Sequence, residues 1–141
     1  MNYNEIELNI YQQNENGEKE IKETKNVRFR LLSGDCVTLE KDTKKSVIDY
    51  IQDESITMVT TMLRYMRMSE DRTITINQAQ KLYDELIDDG WTYKRIIQDI
   101  IYETLVCSGF LEETEWKEMK LQTEELAKKL KEEQKKALEN I

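Results

Sequence analysis

The stretch LYDELIDDGWTYKRIIQDIIYETLVCSGFL, residues 82–111, decides the fold of this 141-residue chain. It reads as two amphipathic helices that are joined at an Asp-Asp-Gly-Trp-Thr corner and ended by Ser-Gly-Phe-Leu. In each helix, apolar residues recur at the three- and four-residue spacings that place them on one face. They are Ala79, Leu82, Tyr83, Leu86 and Ile87 in the first helix, and Tyr93, Ile96, Ile97, Ile100, Ile101 and Leu105 in the second. Both helices therefore have a face to bury.

Capping residues mark the ends of both helices. Thr75 and Gln78 have the spacing of a capping box, and Thr92 is the expected N-cap of the second helix. Gly90 and Gly109 fall just past the helix ends, where a left-handed residue is commonly needed. These residues predict a well-defined helical pair.

The N-terminal segment alternates apolar and polar side chains with the period of a half-buried strand. Asn16-Gly17 is a strong hairpin turn, and folding about it sets Ile6 opposite Val27. We therefore predict a β-hairpin, while residues 12–26 fit either its outer strands or a loose loop.

Between these two regions, the sequence predicts further helices. Ser33 is the expected cap of a short helix through Glu40, and Ser46 with Asp49 has capping-box spacing for another. The predicted fold is α+β and mainly α, with an N-terminal β-hairpin packed on a cluster of four to five helices and a projecting C-terminal helix. We predict the hairpin over residues 1–32, the helical core over residues 33–111 and the charged C-terminal helix over residues 112–141.

The methionine-rich helix over residues 55–68 carries two apolar stripes. Its main stripe is accompanied by a second one formed by Met58, Met62 and Tyr65. One interpretation places this helix at the centre of the bundle, covered by its neighbours. The other makes the second stripe an adaptable binding surface, because flexible thioether side chains repack against different partners.

The C-terminal helix has a weak heptad pattern carried by Trp116, Met119, Leu126 and Leu130. It is either a solvated tail or a helix that docks on a partner or self-associates through these residues. A lone helix of this kind is only marginally stable, which favours docking.

Composition argues against most catalytic chemistry. The chain has no histidine, which removes the commonest general base near neutral pH and the commonest metal ligand. Cys36 and Cys107 lack a CxxC partner and fit two small buried thiols in a reducing compartment. Phosphate-binding loops and nucleophile motifs are missing from the sequence. We therefore expect a protein that is not an enzyme and has no cofactor.

Charge and hydropathy argue against nucleic acid and a membrane as partners. A net charge of −8 argues against binding to a nucleic-acid backbone. The sequence contains neither a signal peptide nor a run of 18 apolar residues, so we expect a cytoplasmic protein without a membrane span. Four carboxylates near the end of the first helix fit a solvated face better than a metal site, because no calcium-type loop surrounds them. They are Asp84, Glu85, Asp88 and Asp89.

One alternative function comes from the helical pair itself, which also fits a helix-turn-helix regulator. Its second helix would have to enter the major groove of DNA. Beyond the first turn, that helix directs only Gln98, Asp99 and Glu103 outward, which is poor for contacts to bases and phosphates.

Residues 82–111 resemble the C-terminal part of the tail assembly chaperones of long-tailed phages. That family pairs a "Leu-Tyr-Asp-Glu…acidic-Gly" helix with a helix that ends in "Ser-Gly-Phe-Phe". Residues 27–51, VRFRLLSGDCVTLEKDTKKSVIDYI, are similar to the family's "Lys-Leu-Arg-Leu" strand followed by "Asn-Cys-Val-x-Leu-Glu-Lys-x-x-Gly". Here Thr43 replaces the glycine that follows Glu-Lys in the family, and Leu111 replaces the last Phe.

The resemblance implies a function in virion morphogenesis in the cytoplasm of the bacterial host. Members of the family bind the long, largely helical tape measure protein, help to recruit tail tube subunits and do not remain in the mature particle. The tape measure protein and the tail tube protein are therefore the expected partners. The two apolar surfaces described above, Met58 to Tyr65 and Trp116 to Leu130, are the expected places of contact.

Overall fold

An antiparallel β-hairpin begins the computed structural model, which describes residues 2–139. Strand β1 spans Asn4–Gln13 and strand β2 spans Lys19–Phe29. Residues 12–26 therefore belong mostly to the two strands, with only a short connection between them.

The register of the hairpin is the predicted one. Ile6 pairs with Val27, and the pairing is interrupted by one irregularity between Ile10 and Tyr11. Gly17 in the turn has a φ of +77°, a conformation that glycine adopts without steric penalty. Leu8 is buried on this hairpin, as are Val27 and Phe29.

Helices make up most of the remaining chain. The first four are α1 (Ser33–Thr43), α2 (Val47–Ile51), α3 (Ile56–Arg67) and α4 (Ile76–Asp88). A continuous helical run follows, composed of α5 (Tyr93–Arg95), a π-helix (Ile96–Tyr102) and α6 (Glu103–Cys107). The last helix is α7 (Glu113–Glu139). The fold is α+β and mainly α with a C-terminal helix, as predicted.

Three of the predicted helix caps are present. Thr75 and Gln78 form a complete capping box at the start of α4. The hydroxyl of Thr92 accepts a hydrogen bond from the backbone N–H of Arg95, and Ser46 caps α2 through the backbone N–H of Asp49. These side chains satisfy N–H groups that a helix start would otherwise leave unpaired.

The predicted cap at Ser33 is wrong. Leu32 is the N-cap of α1 and makes no side-chain cap hydrogen bond, while Ser33 is the first helical residue. The helix also runs past Glu40 to Thr43. Ser33 was a plausible cap by residue type, but the chain enters the helix one residue earlier.

Helix α1 ends on a left-handed residue, the conformation for which glycine is favoured. Lys44 has a φ of +59°, in the left-handed region, and its backbone N–H donates to the carbonyl of Glu40. Counted from Leu39, the family pattern Leu-Glu-Lys-x-x-Gly places its glycine at residue 44. Lys44, and not Thr43, therefore stands at the position where glycine is favoured.

The chain divides into two compact units, Met1–Phe110 and Leu111–Ile141. In the first unit, α3 lies against α1, α2, α4, the π-helix and β2, and the hairpin also contacts α4 and α6. The fully buried side chains of this unit come from the hairpin and from nearly every helix. The largest are Leu8, Phe29, Leu31, Leu39, Ile51, Met58, Met62, Leu63, Met66, Leu86, Ile96 and Ile100.

The second unit consists mainly of α7. Its charged residues include an ion pair between Lys117 and Glu113, which are one helical turn apart. Within the described residues, none of the helices combines the length and the apolar character that crossing a membrane requires.

Candidate partner-binding surface

The methionine stripe of α3 lies in the core of the first unit. Met58 and Met62 are fully buried and Tyr65 is 3% exposed. The expectation that these three residues offer a binding surface is therefore wrong for this structure, and the interpretation of a central, covered helix is correct. Because α3 has neighbours on several sides, its second apolar stripe packs against protein instead of facing solvent.

Tyr65 also has a structural partner. Its hydroxyl donates a hydrogen bond to the carboxylate of Asp42 near the end of α1. Burial raises the pKa of Tyr65 to about 12, and the hydrogen bond to Asp42 adds to the effect. The side chain therefore fastens α3 to α1 in its protonated form.

The predicted seam on α7 is only partly exposed. Leu126 and Leu130 are 60% and 52% exposed, whereas Trp116 is buried. The side chain of Met119 lies outside the part of the chain that the structure describes. Two leucines of the seam are thus available to a partner.

A surface groove between α3 and α4 was not predicted. Its floor and walls combine apolar, hydroxyl, amide and carboxylate side chains. They are Ile56, Thr57, Thr60, Gln80, Tyr83 and Asp84, and we call this the α3–α4 groove.

Isoleucines extend the apolar surface of the α3–α4 groove along α4. Ile76, Gln80, Tyr83 and Ile87 follow one another at spacings of four, three and four residues, so they share one face of that helix. Ile56 at the start of α3 is 50% exposed and Ile87 is 39% exposed. The spacing of the apolar residues in this helix predicts that Ile87 is buried, and this prediction is wrong.

One carboxylate lies at the α3–α4 groove. Asp84 lines it directly. Burial raises the pKa of Tyr93, which follows α4 in the chain, and the charges of Glu54 and Tyr83 raise it further. A groove that combines apolar side chains with one carboxylate is suited to an amphipathic helix that carries a lysine or arginine beside its apolar stripe.

One carboxylate of the predicted solvated face has a structural role. Asp89, just after α4, accepts hydrogen bonds from the backbone N–H of Asn9 at 3.0 Å and from the hydroxyl of Tyr11 at 2.9 Å. These bonds fasten the hairpin to the end of α4. Sequence spacing could not distinguish this residue from its solvated neighbours.

A second anchoring contact lies at the π-helix. The side-chain amide of Asn4 donates to the carbonyl of Asp99 at 3.0 Å, and Ile100 and Thr104 offer further oxygens at 3.5 and 3.3 Å. The wider turn of a π-helix shifts its carbonyls out of the usual α-helical pairing. Asn4 compensates by supplying a donor from the first strand.

A third contact joins α1 to the loop before α4. Both oxygens of the Asp35 carboxylate accept hydrogen bonds from the guanidinium of Arg72, each at 2.8 Å. Asp35 is buried, and a bidentate partner is what a buried carboxylate requires. The two residues are 37 positions apart, which hides the pair from any local pattern.

The two cysteines are free thiols, Cys36 buried and Cys107 partly buried. Burial raises the pKa of both, so both remain protonated near neutral pH. Among the described residues, no cluster of three or more carboxylate or cysteine side chains is arranged to hold a metal ion.

Comparison of the chain with protein-family models, with curated proteins and with solved structures gave no match. The likeness to tail assembly chaperones therefore rests on the motifs in residues 27–51 and 82–111.

Proposed function

We propose that this protein is a tail assembly chaperone of a long-tailed phage or prophage, which covers helical segments of a tape measure protein until the tail tube encloses them. The proposal rests on the two motifs of the sequence. It is supported by two exposed isoleucines, Ile56 in the α3–α4 groove and Ile87 further along α4, which provide an apolar surface of the kind that such a client needs.

The α3–α4 groove is suited to covering an apolar helical client. A long helical client exposes apolar stripes that aggregate unless they are covered. The α3–α4 groove offers Ile56 and Tyr83, Ile87 extends this surface along α4, and Asp84 supplies one negative charge. A client helix would bind with its apolar stripe in the groove and a basic residue toward Asp84. The tail tube protein would be recruited to the complex in the host cytoplasm.

Co-expression with the tape measure protein tests this assignment. We expect the wild-type chain to keep the tape measure protein in the soluble fraction. Ile56→Glu and Ile87→Glu should each abolish that effect, because both place a charge in the apolar contact.

Ile21→Glu is the matched control, since Ile21 is an isoleucine on β2 that is at least as exposed as Ile56 and Ile87 and lies outside the groove. It should protect the client as well as the wild type does. If the wild type fails to keep the tape measure protein soluble, the function is wrong. If the wild type succeeds and the groove variants behave like the control, the chosen surface is wrong.

A further inference from the structure

The outer edge of strand β2 carries free backbone groups. On β1, the backbone N–H of Asn9 donates away from the hairpin, to Asp89, so Asn9 and the residue opposite it, Thr24, are not hydrogen-bonded to each other. Because such pairs alternate with hydrogen-bonded ones, Thr24 and Asn26 both direct their backbone groups to the outer edge of β2. Within residues 2–139, the backbone of neither residue makes a hydrogen bond.

The contacts of Arg28 agree with this alternation. Arg28 lies two residues past Asn26, and its carbonyl accepts a hydrogen bond from the guanidinium of Arg67 on the outer side of β2. Residues 19–26 are all exposed, so the edge is accessible to another strand. An open cleft adjoins the edge, and the residues around it are Glu5, Asn26, Arg28, Arg67 and Glu70.

The charges of β2 complement those of a second copy that runs in the opposite direction. A two-fold axis at Thr24 sets Glu23 of each copy opposite Lys25 of the other. Lys22 then meets Asn26, so each lysine faces an acid or an amide. Lysine on an edge strand commonly deters pairing, but this register opposes no like charges. An axis at Glu23 or at Lys25 would set two identical charges against each other, and an axis at Asn26 would pair no opposite charges.

We propose that two copies of this chain pair through β2, antiparallel about Thr24, so that the two hairpins form one four-stranded sheet. The two Thr24 residues exchange both of their backbone hydrogen bonds. Pairing is centred on residues 22–26, because the register of β2 is interrupted between Ile21 and Glu23. It stops at a dimer, since the hairpin packs its other edge against α4 and α6. This inference does not depend on the proposed function.

Charge exchange at the edge tests the register. We expect sedimentation of the full chain to show a concentration-dependent dimer. Glu23→Lys and Lys25→Glu each oppose like charges on both sides of the axis, so each should weaken the dimer by roughly tenfold in Kd. An equimolar mixture of the two variants restores both opposite pairs and should dimerise as well as the wild type does.

Glu15→Lys and Lys81→Glu are the matched controls. Both residues are exposed and lie away from the β2 edge, and the substitutions change the net charge by the same amounts. Singly and mixed, they should dimerise like the wild type. A monomeric wild type, equal weakening by the controls, or a mixture of the edge variants that stays monomeric would overturn the proposal.

Amide hydrogen exchange locates the contact. The N–H groups of Thr24 and Asn26 should exchange severalfold more slowly in concentrated protein than in dilute protein, because they are bonded only in the dimer. Those of Glu23 and Lys25 point toward β1 and should be protected at both concentrations. A dimer in which Thr24 and Asn26 exchange as fast as in the monomer forms through another surface, and that result would refute pairing through β2.

Discussion

Lys44 carries the only non-glycine backbone with positive φ among the described residues. A left-handed conformation brings the Cβ atom of an L-residue too close to the following carbonyl. Lysine accepts this cost here because its N–H ends α1 on the carbonyl of Glu40. A glycine at this position should therefore stabilise the folded protein.

We expect Lys44→Gly to raise the free energy of unfolding by about 0.5–1 kcal/mol, since glycine adopts this conformation without the clash. Thr43→Gly is the control, one residue earlier and inside α1, and it should lower the free energy of unfolding by about the same amount. Urea denaturation of both variants measures the difference. Stabilisation by Thr43→Gly would contradict the assigned conformation of this turn.

Tyr65 predicts an alkaline pH dependence. Its pKa is about 12 in the folded protein and near 10 in the unfolded chain, so the unfolded chain loses the proton first. The stability is complete below pH 10 and is lost as the pH rises toward 12, by up to about 1.4 kcal/mol per pH unit. Tyr65→Phe should reduce the slope, while Tyr93 and Tyr102, whose pKa burial also raises, keep their contribution. Unfolding free energies of both proteins across that pH range test it, and equal slopes would contradict it.

At the scale of single elements, local signals were sufficient for the hairpin and for most helix caps. Asn16-Gly17 fixes a two-strand register over short range, and Thr75 and Thr92 act within one helical turn. The π-helix could not be foreseen in this way. Its buried isoleucines satisfy the spacing of an ordinary α-helix equally well. The residue that compensates the π-helix with a hydrogen-bond donor, Asn4, lies 95 positions earlier in the sequence.

The Asn4 contact gives an element-scale prediction. Asn4→Asp keeps the shape of the side chain but replaces the amide donor by an acceptor that faces the carbonyl of Asp99. We expect a loss of about 1–3 kcal/mol in the free energy of unfolding. Asn2→Asp, an exposed residue two positions earlier, adds the same charge and should leave the stability unchanged. Equal values for the two variants in urea denaturation would show that the contact contributes nothing.

At the scale of the whole molecule, the sequence predicted the fold class, but the methionine stripe that it offered as a surface is buried. Met58 and Met62 differ little in local pattern from a surface stripe, and only the contacts of α3 with several neighbours bury them. Ile56 and Ile87 are the reverse case, since their spacing indicates burial while their positions at the ends of helices leave them exposed. Burial depends on where neighbouring elements end, which periodicity does not encode.

The net charge of −8 gives a prediction for the molecule as a whole, which also tests the helix-turn-helix alternative. We expect no salt-dependent binding to duplex DNA at low ionic strength, because the chain lacks the positive charge needed to displace counterions from the phosphates. Fluorescence anisotropy of labelled duplex DNA measures this. Binding to duplex DNA that weakens steadily with added salt would support the helix-turn-helix alternative.

The bond between Asn4 and the carbonyl of Asp99 spans 95 residues, which has a consequence for synthesis on the ribosome. The hairpin can form as soon as its own strands leave the ribosome, but the π-helix that it contacts has not yet been synthesised. At a synthesis rate of about 5–20 residues per second, the π-helix is completed roughly 5 to 20 seconds after β1. During this interval the apolar side of the nascent hairpin is uncovered, so rapid completion of the chain shortens the time in which the hairpin can aggregate.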